Sequence, residues 1–145
     1  MGAGIEAGLG RLVSGEAAEV VRGLMAAING DDPDAQTRVL HPEVVQYGTR
    51  GGIDQDRVVR GREAVLEYWQ EVAEAWESQS FELERLIEAG DVVVAFWHET
   101  ARGRQSDLEV ETDTASILRL RDGKIVELRG YLDRDEALRA AGLTA

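Results

Sequence analysis

The sequence predicts an α+β fold in which helices come first and an antiparallel sheet follows. Two helix-length segments, residues 16–30 and 62–78, place their apolar residues at helical spacing. From residue 80 onward, apolar and polar residues alternate, which is the pattern of half-buried strands. The sequences AGD and RDGK are tight turns between such strands, so strands that are neighbours in the chain should pair antiparallel.

The first half of the chain begins with two helices. The stripe over residues 16–30 predicts an amphipathic helix that ends at Gly30. Asp32 is an N-cap residue, and Pro33 takes the first helical position, where its missing N–H has no consequence. A second, short helix is therefore expected over residues 33–40.

A strand is expected over residues 41–48, followed by a glycine-rich, charged loop over 49–61 that contains one short strand. This loop should border the mouth of any pocket and move there. The longest predicted helix covers residues 62–78. Its expected buried face carries Val65, Leu66, Trp69, Val72, Ala73 and Trp76.

Four strands are predicted in the second half of the chain. They cover residues 80–89, 91–103, 106–121 and 123–132. Asp133 and Glu136 have the spacing of a capping box, so a last helix should begin directly after Asp133.

Composition limits the function classes. The net charge of −12 and a pI near 4.6 argue against nucleic acids and anionic membranes as partners. The chain has no cysteine and two histidines, so a cysteine-based or multi-histidine metal site is not expected. The glycine clusters GAG, GLG and RGG lie outside a strand-to-helix context, so no cofactor is expected. No apolar run reaches the roughly 18 residues of a membrane helix. We expect a cytoplasmic protein with a flexible segment over residues 1–14 and a single domain over 15–145.

Three stretches of the sequence, and their spacing, resemble a known family. RGREAVLEYW at residues 60–69, AGDVVVAF at 89–96 and LRLRDGKIVELRGYLDRDEALRAAGL at 118–143 are similar to the SnoaL-like branch of the NTF2-like superfamily. The resemblance covers residues 16–143. It implies a cone-shaped barrel, in which a strongly bent, mostly antiparallel sheet holds N-terminal helices on its concave face around one deep pocket. It also implies a homodimer through the convex face, with Tyr131, Ile117 and His98 as interface residues.

The resemblance does not by itself imply one reaction, because the superfamily contains isomerases, epoxide hydrolases, dehydratases, polyketide cyclases and binding modules. Where similar ketosteroid isomerases have their base and their oxyanion donor, this chain has Gly48 and Ser116. Where similar epoxide hydrolases have Asp, Arg and Asp, it has Glu99, Trp97 and Gly130. Both known catalytic sets are thus incomplete, and a second acid would have to come from the 49–59 loop, as Asp54 or Asp56.

The run AFWHET raises the question of which neighbour faces the pocket, because successive strand residues point to opposite faces. The resemblance places Trp97 and Glu99 inside and His98 outside. Glu99 is then the catalytic candidate, since a carboxyl beside an indole in an apolar cavity has a raised pKa suited to proton transfer. The alternative is a glutamate at the wet rim, paired with Arg102 or Arg104.

The same alternation predicts the other pocket residues. Ser116 is a second catalytic candidate, and Trp97 is the best candidate for stacking on a flat ligand. Tyr47, Asp133 and His98 would enter the pocket only through a bulge. The predicted substrate-binding residues are Trp97, Trp69, Trp76, Tyr68, Met25, Gln46, Thr112, Thr114, Leu118, Leu128 and Leu132.

Three functions are consistent with this pattern. The first is a cofactor-independent enzyme that binds an apolar, polyketide-like molecule and promotes cyclisation or isomerisation through shape and one carboxylate. The second is a non-catalytic ligand-binding or dimerisation module of the same fold. The third is an epoxide hydrolase variant, which requires the second acid from the loop.

Overall fold

A computed structural model of the protein describes residues 11–12, 15–105 and 108–143, and it has the predicted α+β architecture. The strands form one sheet in the order β1-β4-β5-β6-β7-β2-β3. Every neighbouring pair is antiparallel except β2 and β7, which are parallel. The sheet is open, since β1 and β3 lie at its two ends. Its strands are β1 (Arg11–Leu12), β2 (Leu40–Arg50), β3 (Val58–Arg60), β4 (Trp76–Ala89), β5 (Val92–Gly103), β6 (Glu109–Arg121) and β7 (Lys124–Tyr131).

Four helices accompany the sheet: α1 (Gly15–Asn29), α2 (Pro33–Val39), α3 (Arg62–Glu74) and α4 (Arg134–Ala140). The two predicted N-caps are present. The Asp32 carboxylate accepts hydrogen bonds from the backbone N–H groups of Asp34 and Ala35, at 3.1 and 3.2 Å. Asp133 does the same for α4, accepting from residues 135 and 136. Each cap satisfies backbone donors that the first turn of a helix leaves unpaired.

The end of α3 differs from the prediction. The helix stops at Glu74, and Trp76 begins β4, where it pairs with Gly103 of β5. The helix was predicted to include Trp76 because Trp69 and Trp76 are seven residues apart, which is the spacing of two helical turns. The backbone groups after Ala75 instead find partners along the full length of β5, which the local sequence cannot reveal.

The two faces of the sheet carry different apolar clusters. On the first, α1, α2 and α3 cover inward side chains that include Val93, Ala95 and Trp97. On the opposite face, α4 covers Val94 and Phe96. The alternation along β5 is unbroken, because its register with β6 is continuous from Val92 to Arg102.

The position of α4 corrects the expected interface residues. Tyr131 is 5% exposed and packs with Ala137 of α4, and Ile117 packs against the same cluster. Helix α4 therefore covers Tyr131, which is not free to form a dimer contact, whereas Ile117 is only half-buried and stays a predicted interface residue.

The expected flexible segment over residues 1–14 lies outside the described residues, apart from Arg11–Leu12, which pairs with β4. Within the described ranges, no helix has both the length and the apolar content that crossing a membrane requires.

Candidate functional site

A cavity of about 470 Å³ lies between the sheet and helices α1 and α3. This volume falls within the roughly 300–1,000 Å³ of small-molecule sites. Its aromatic lining includes Tyr68 and Trp69 from α3, Phe81 from β4 and Trp97 from β5. The rings of Phe81 and Trp97 are almost perpendicular, at 85°, with centroids 6.3 Å apart.

Glu99 lies in the cavity wall, two residues along β5 from Trp97. Its carboxyl group accepts a hydrogen bond from the Thr114 hydroxyl on β6. Burial raises the pKa of Glu99 above its ordinary value of 4.5, while the bond from Thr114 acts in the opposite direction. Arg102 and Arg104 are engaged elsewhere, with Glu109 and with the backbone carbonyl of Glu74. Glu99 is thus a half-buried acid whose hydrogen-bond partner is Thr114 rather than Arg102 or Arg104.

Glu99→Gln is expected to make the protein more stable than wild type at pH 8. The folded-state pKa of Glu99 is raised, so its contribution to stability is fully present below about pH 4.5 and is lost as the pH rises through the folded-state value. Glutamine never ionises. The advantage of the variant should therefore grow from pH 4 to pH 8 in urea unfolding, and a constant difference would contradict the raised pKa.

Further polar groups in the cavity wall are paired with each other. The Trp97 indole N–H donates to Ser116 Oγ at 3.1 Å, and the Trp69 indole N–H donates to the Gln46 side-chain oxygen. These bonds hold both indoles in place. Ser116 therefore orients Trp97 in this structure, and its predicted catalytic role remains a prediction.

The structure places most of the predicted substrate-binding residues in the cavity wall, but four lie elsewhere. Trp76 begins β4 outside the cavity, and Leu118 is fully buried in the core, opposite Val93. Thr112 pairs with Glu99 across the strands but lies outside the wall. Leu132 follows the end of β7 and is 45% exposed, because the strand stops at Tyr131 before the predicted alternation would turn Leu132 inward. Those that line the cavity are Trp97, Trp69, Tyr68, Met25, Gln46, Thr114 and Leu128.

The loop between β2 and β3 folds back onto Gly48. A Cβ atom on Gly48 would lie 1.7 Å from the carbonyl oxygen of Asp54, so only glycine admits this backbone contact. Asp54 then accepts a hydrogen bond from the Tyr68 hydroxyl, and the Arg57 guanidinium lies 4.5 Å from the centre of the Tyr68 ring. The loop thereby brings a carboxylate to Tyr68, a residue of the cavity wall, beside the strand position that has no side chain. In the sequence, this contact is indicated only by Gly48, a glycine at the position where similar ketosteroid isomerases have an acid.

Tyr68→Phe is expected to lower the free energy of unfolding by about 1–2 kcal/mol, because Asp54 loses its buried donor. Burial, followed by the bond to Asp54, raises the pKa of Tyr68 to about 12. The free energy that the neutral Tyr68 hydroxyl contributes to folding is fully present below pH 10 and is lost as the pH rises towards 12. Absorbance titration should show one tyrosine ionising near pH 12, absent in Tyr68→Phe but retained in a Tyr47→Phe control.

Three residues that a bulge could have turned inward remain outside. Tyr47 stacks under Arg129, with 4.2 Å between the guanidinium carbon and the ring centre, and Asp133 caps α4. His98 contacts Asp113 and Glu111 on the opposite face, at 2.7 and 2.8 Å. The pairing of β4 with β5 shifts register twice, at Glu77 and at Glu84, but both extra residues belong to β4, so the faces of β5 do not change.

Glu84, His98 and Asp113 lie close enough together to hold a metal ion, with their ligand atoms within 4.8 Å of each other. Their surroundings do not fit one. Arg134 already binds Glu84 and lies 4.0 Å from Asp113. Hydrogen bonds to Asp113 and Glu111 raise the pKa of His98 to about 9, so at neutral pH its protonated ring is a cation that pairs with both carboxylates. The cluster is an ion-pair network with two cations, His98 and Arg134.

Solved structures with the same fold are similar along most of the chain. A hypothetical protein with a ketosteroid isomerase-like fold from Catenulispora acidiphila DSM 44928, in complex with trimethylamine, has a TM-score of 0.70 at 20% identity, covering 86% of this chain and 93% of its own. A protein from Jannaschia sp. CCS1, described as a SnoaL-like polyketide cyclase, has a TM-score of 0.72 at 19% identity, covering 92% and 98%. An LEH-like epoxide hydrolase from M. tuberculosis has a TM-score of 0.67 at 20% identity, covering 88% and 89%.

At these identities the structural similarity establishes the NTF2/ketosteroid isomerase-like fold and not a reaction. No curated protein matches the sequence. The family model of the SnoaL-like domain matches residues 21–128, from the middle of α1 to β7. By this match, the chain belongs to the SnoaL-like domain family.

Proposed function

We propose that the protein is a cofactor-independent enzyme that binds a mostly apolar, polyketide-like small molecule and promotes its cyclisation or isomerisation. The observation that carries this proposal is Glu99, a carboxyl group with a raised pKa in the wall of an aromatic cavity. A group with a pKa closer to neutrality can both give and take a proton during a reaction. The similarity to the Jannaschia protein supports the polyketide-like class of ligand.

The shape of the cavity would supply the rest of the catalysis. Trp97 and Trp69 are each fixed by a hydrogen bond, so their rings form rigid walls. Rigid walls can hold a flexible chain in one folded conformer, which lowers the entropic part of the barrier to ring closure. This contribution requires no second acid.

The test is a ligand panel with wild type and Glu99→Gln. Polyketide mimics, conjugated polyenes and epoxides would be screened by quenching of tryptophan fluorescence, and each binder would be assayed for conversion. Glu99→Gln should retain binding within about threefold and lose at least about 100-fold in turnover, the usual contribution of a positioned proton-transfer group. Glu82→Gln, which removes an exposed carboxylate across from His98, is the matched control and should behave as wild type.

Two other outcomes favour the alternatives. Binding without conversion by either protein would support a non-catalytic binding module. The hydrogen bonds of Trp69 with Gln46 and of Trp97 with Ser116 favour this alternative, because they pair polar groups of the cavity wall with each other. Conversion of epoxides that is lost in both Glu99→Gln and Asp54→Asn would support the epoxide hydrolase variant, because Asp54 is the acid that the loop brings to Tyr68. Asp56 is exposed and is the weaker candidate for that second acid.

A homodimer in the cytoplasm remains part of the proposal. With Tyr131 covered by α4, the contact surface would use the half-buried Ile117 and His98 together with other residues of that face. Sedimentation equilibrium at micromolar concentration decides between monomer and dimer.

A further inference from the structure

The charged residues in the lining of the cavity all have the same sign. Its described lining contains three acidic residues, Asp31, Glu77 and Glu99, and no lysine, arginine or histidine. Asp31 and Glu77 are exposed, whereas Glu99 lies deeper, beside Trp97. The whole chain carries a net charge of −12, which adds a negative field over the opening. An anionic ligand would therefore meet repulsion at every stage of entry.

Among the residues that the structure describes, Glu99 has no counter-ion. Thr114 donates a hydrogen bond to its carboxylate, but none of the described lysine, arginine or histidine side chains forms an ion pair with it. An ionised carboxylate away from water is unfavourable unless a positive charge accompanies it. A cationic group on the ligand would supply that charge.

The aromatic walls favour the same kind of ligand. The faces of aromatic rings carry partial negative charge, and a cation within about 6 Å of a ring centre is attracted to them. Trp97 and Phe81 meet almost at a right angle, and Trp69 and Tyr68 line the cavity from the helix side. A corner of rings with a carboxylate nearby is the arrangement that recognises alkylated ammonium groups.

We infer, on the basis of the proposed function, that the ligand of this cavity is an apolar molecule that carries a protonated or quaternary amine. Glu99 is the counter-ion of this amine, and the rings of Trp97 and Phe81 contact its alkyl groups. The cavity volume of about 470 Å³ exceeds that of a small ammonium ion, so most of the molecule is the apolar part. Carboxylate-, sulfonate- and phosphate-bearing molecules are excluded.

The test compares three probes of similar size that differ in charge. Phenyltrimethylammonium is cationic, tert-butylbenzene replaces its nitrogen with carbon, and benzenesulfonate is anionic. Affinities would be measured by calorimetry in 150 mM salt, which screens weak attraction to the acidic surface. We expect the cation to bind at least tenfold more tightly than tert-butylbenzene, and benzenesulfonate not to bind.

Two variants show where the preference arises. Glu99→Gln should weaken binding of the cation at least tenfold and leave binding of tert-butylbenzene unchanged, whereas Glu82→Gln, an equal change of charge outside the cavity, should alter neither. Equal affinity for the cation and its carbon isostere would overturn the inference, as would equal losses in the two variants or no binding by any probe. Binding of tert-butylbenzene without a preference for the cation would leave the proposed function standing, and the polyketide-type panel tests that function separately.

Discussion

Replacing Arg134 with methionine is expected to lower the free energy of unfolding by about 2–4 kcal/mol, which is the range for removing a partly buried charge that holds several acceptors. The Arg134 guanidinium on α4 donates to the backbone carbonyls of Trp97 and Thr114, at 2.7 and 3.0 Å, and binds the Glu84 carboxylate. It also lies 4.7 Å from the centre of the Phe96 ring. Methionine retains the packing of the aliphatic stem and removes all of these interactions.

The two carbonyls explain why this arginine matters. β7 pairs with β6 only as far as Ala115, so the carbonyl of Thr114 lies beyond the end of that ladder. The bulge at Glu84 interrupts the pairing of β4 with β5 beside Trp97. Arg134 thus satisfies acceptors at two irregularities of the sheet, and it does so directly behind the side chains of the cavity wall.

Urea unfolding of Arg134→Met measures the effect, with Arg139→Met as the control. Arg139 is exposed on the same helix, so its replacement should change stability by less than about 0.5 kcal/mol. Similar small losses in both variants would show that α4 is held by its apolar contacts alone.

Gly48→Ala should destabilise the protein by about 1–3 kcal/mol, the range for forcing extra volume into a packed site. The new Cβ would lie 1.7 Å from the carbonyl oxygen of Asp54 and 2.6 Å from its carbonyl carbon. Both are backbone atoms, so the loop over residues 51–57 must move away. Its displacement should also break the contact of Asp54 with Tyr68.

Gly130→Ala is the matched control for Gly48→Ala. A Cβ there would meet the side-chain hydroxyl of Thr49 at 3.1 Å, and that hydroxyl can rotate away. We expect a loss below about 1 kcal/mol for the control. Limited proteolysis within residues 51–57 should accelerate in Gly48→Ala alone, and equal behaviour of the two variants would contradict the close contact.

The Gly48 contact also explains why the site departs from similar isomerases. Those enzymes are expected to have an acid at the Gly48 position, and here the backbone of Asp54 occupies the space that its side chain would need. The carboxylate of Asp54 reaches Tyr68 from the loop instead. Substituting the missing acid at Gly48 would therefore displace the loop rather than restore that site.

The sequence by itself determined the features that depend on local chemistry. Proline after Asp32, and acceptor side chains at Asp32 and Asp133, specify where two helices begin. Period-two alternation identifies which β5 residues share a face, and so it placed Glu99 and Trp97 together and His98 opposite. The resemblance to SnoaL-like proteins then identified the fold, which the family match confirms.

The tertiary structure alone decided the features that depend on contacts distant in sequence. Trp76 leaves the helical pattern because its backbone pairs with β5. Helix α4 covers Tyr131 because its apolar side packs on the opposite face of the sheet. Asp54 meets Tyr68 fourteen residues away only after the loop folds onto Gly48. Local propensity carries no information about such pairings, since their free energy comes from groups that become neighbours only when the chain has folded.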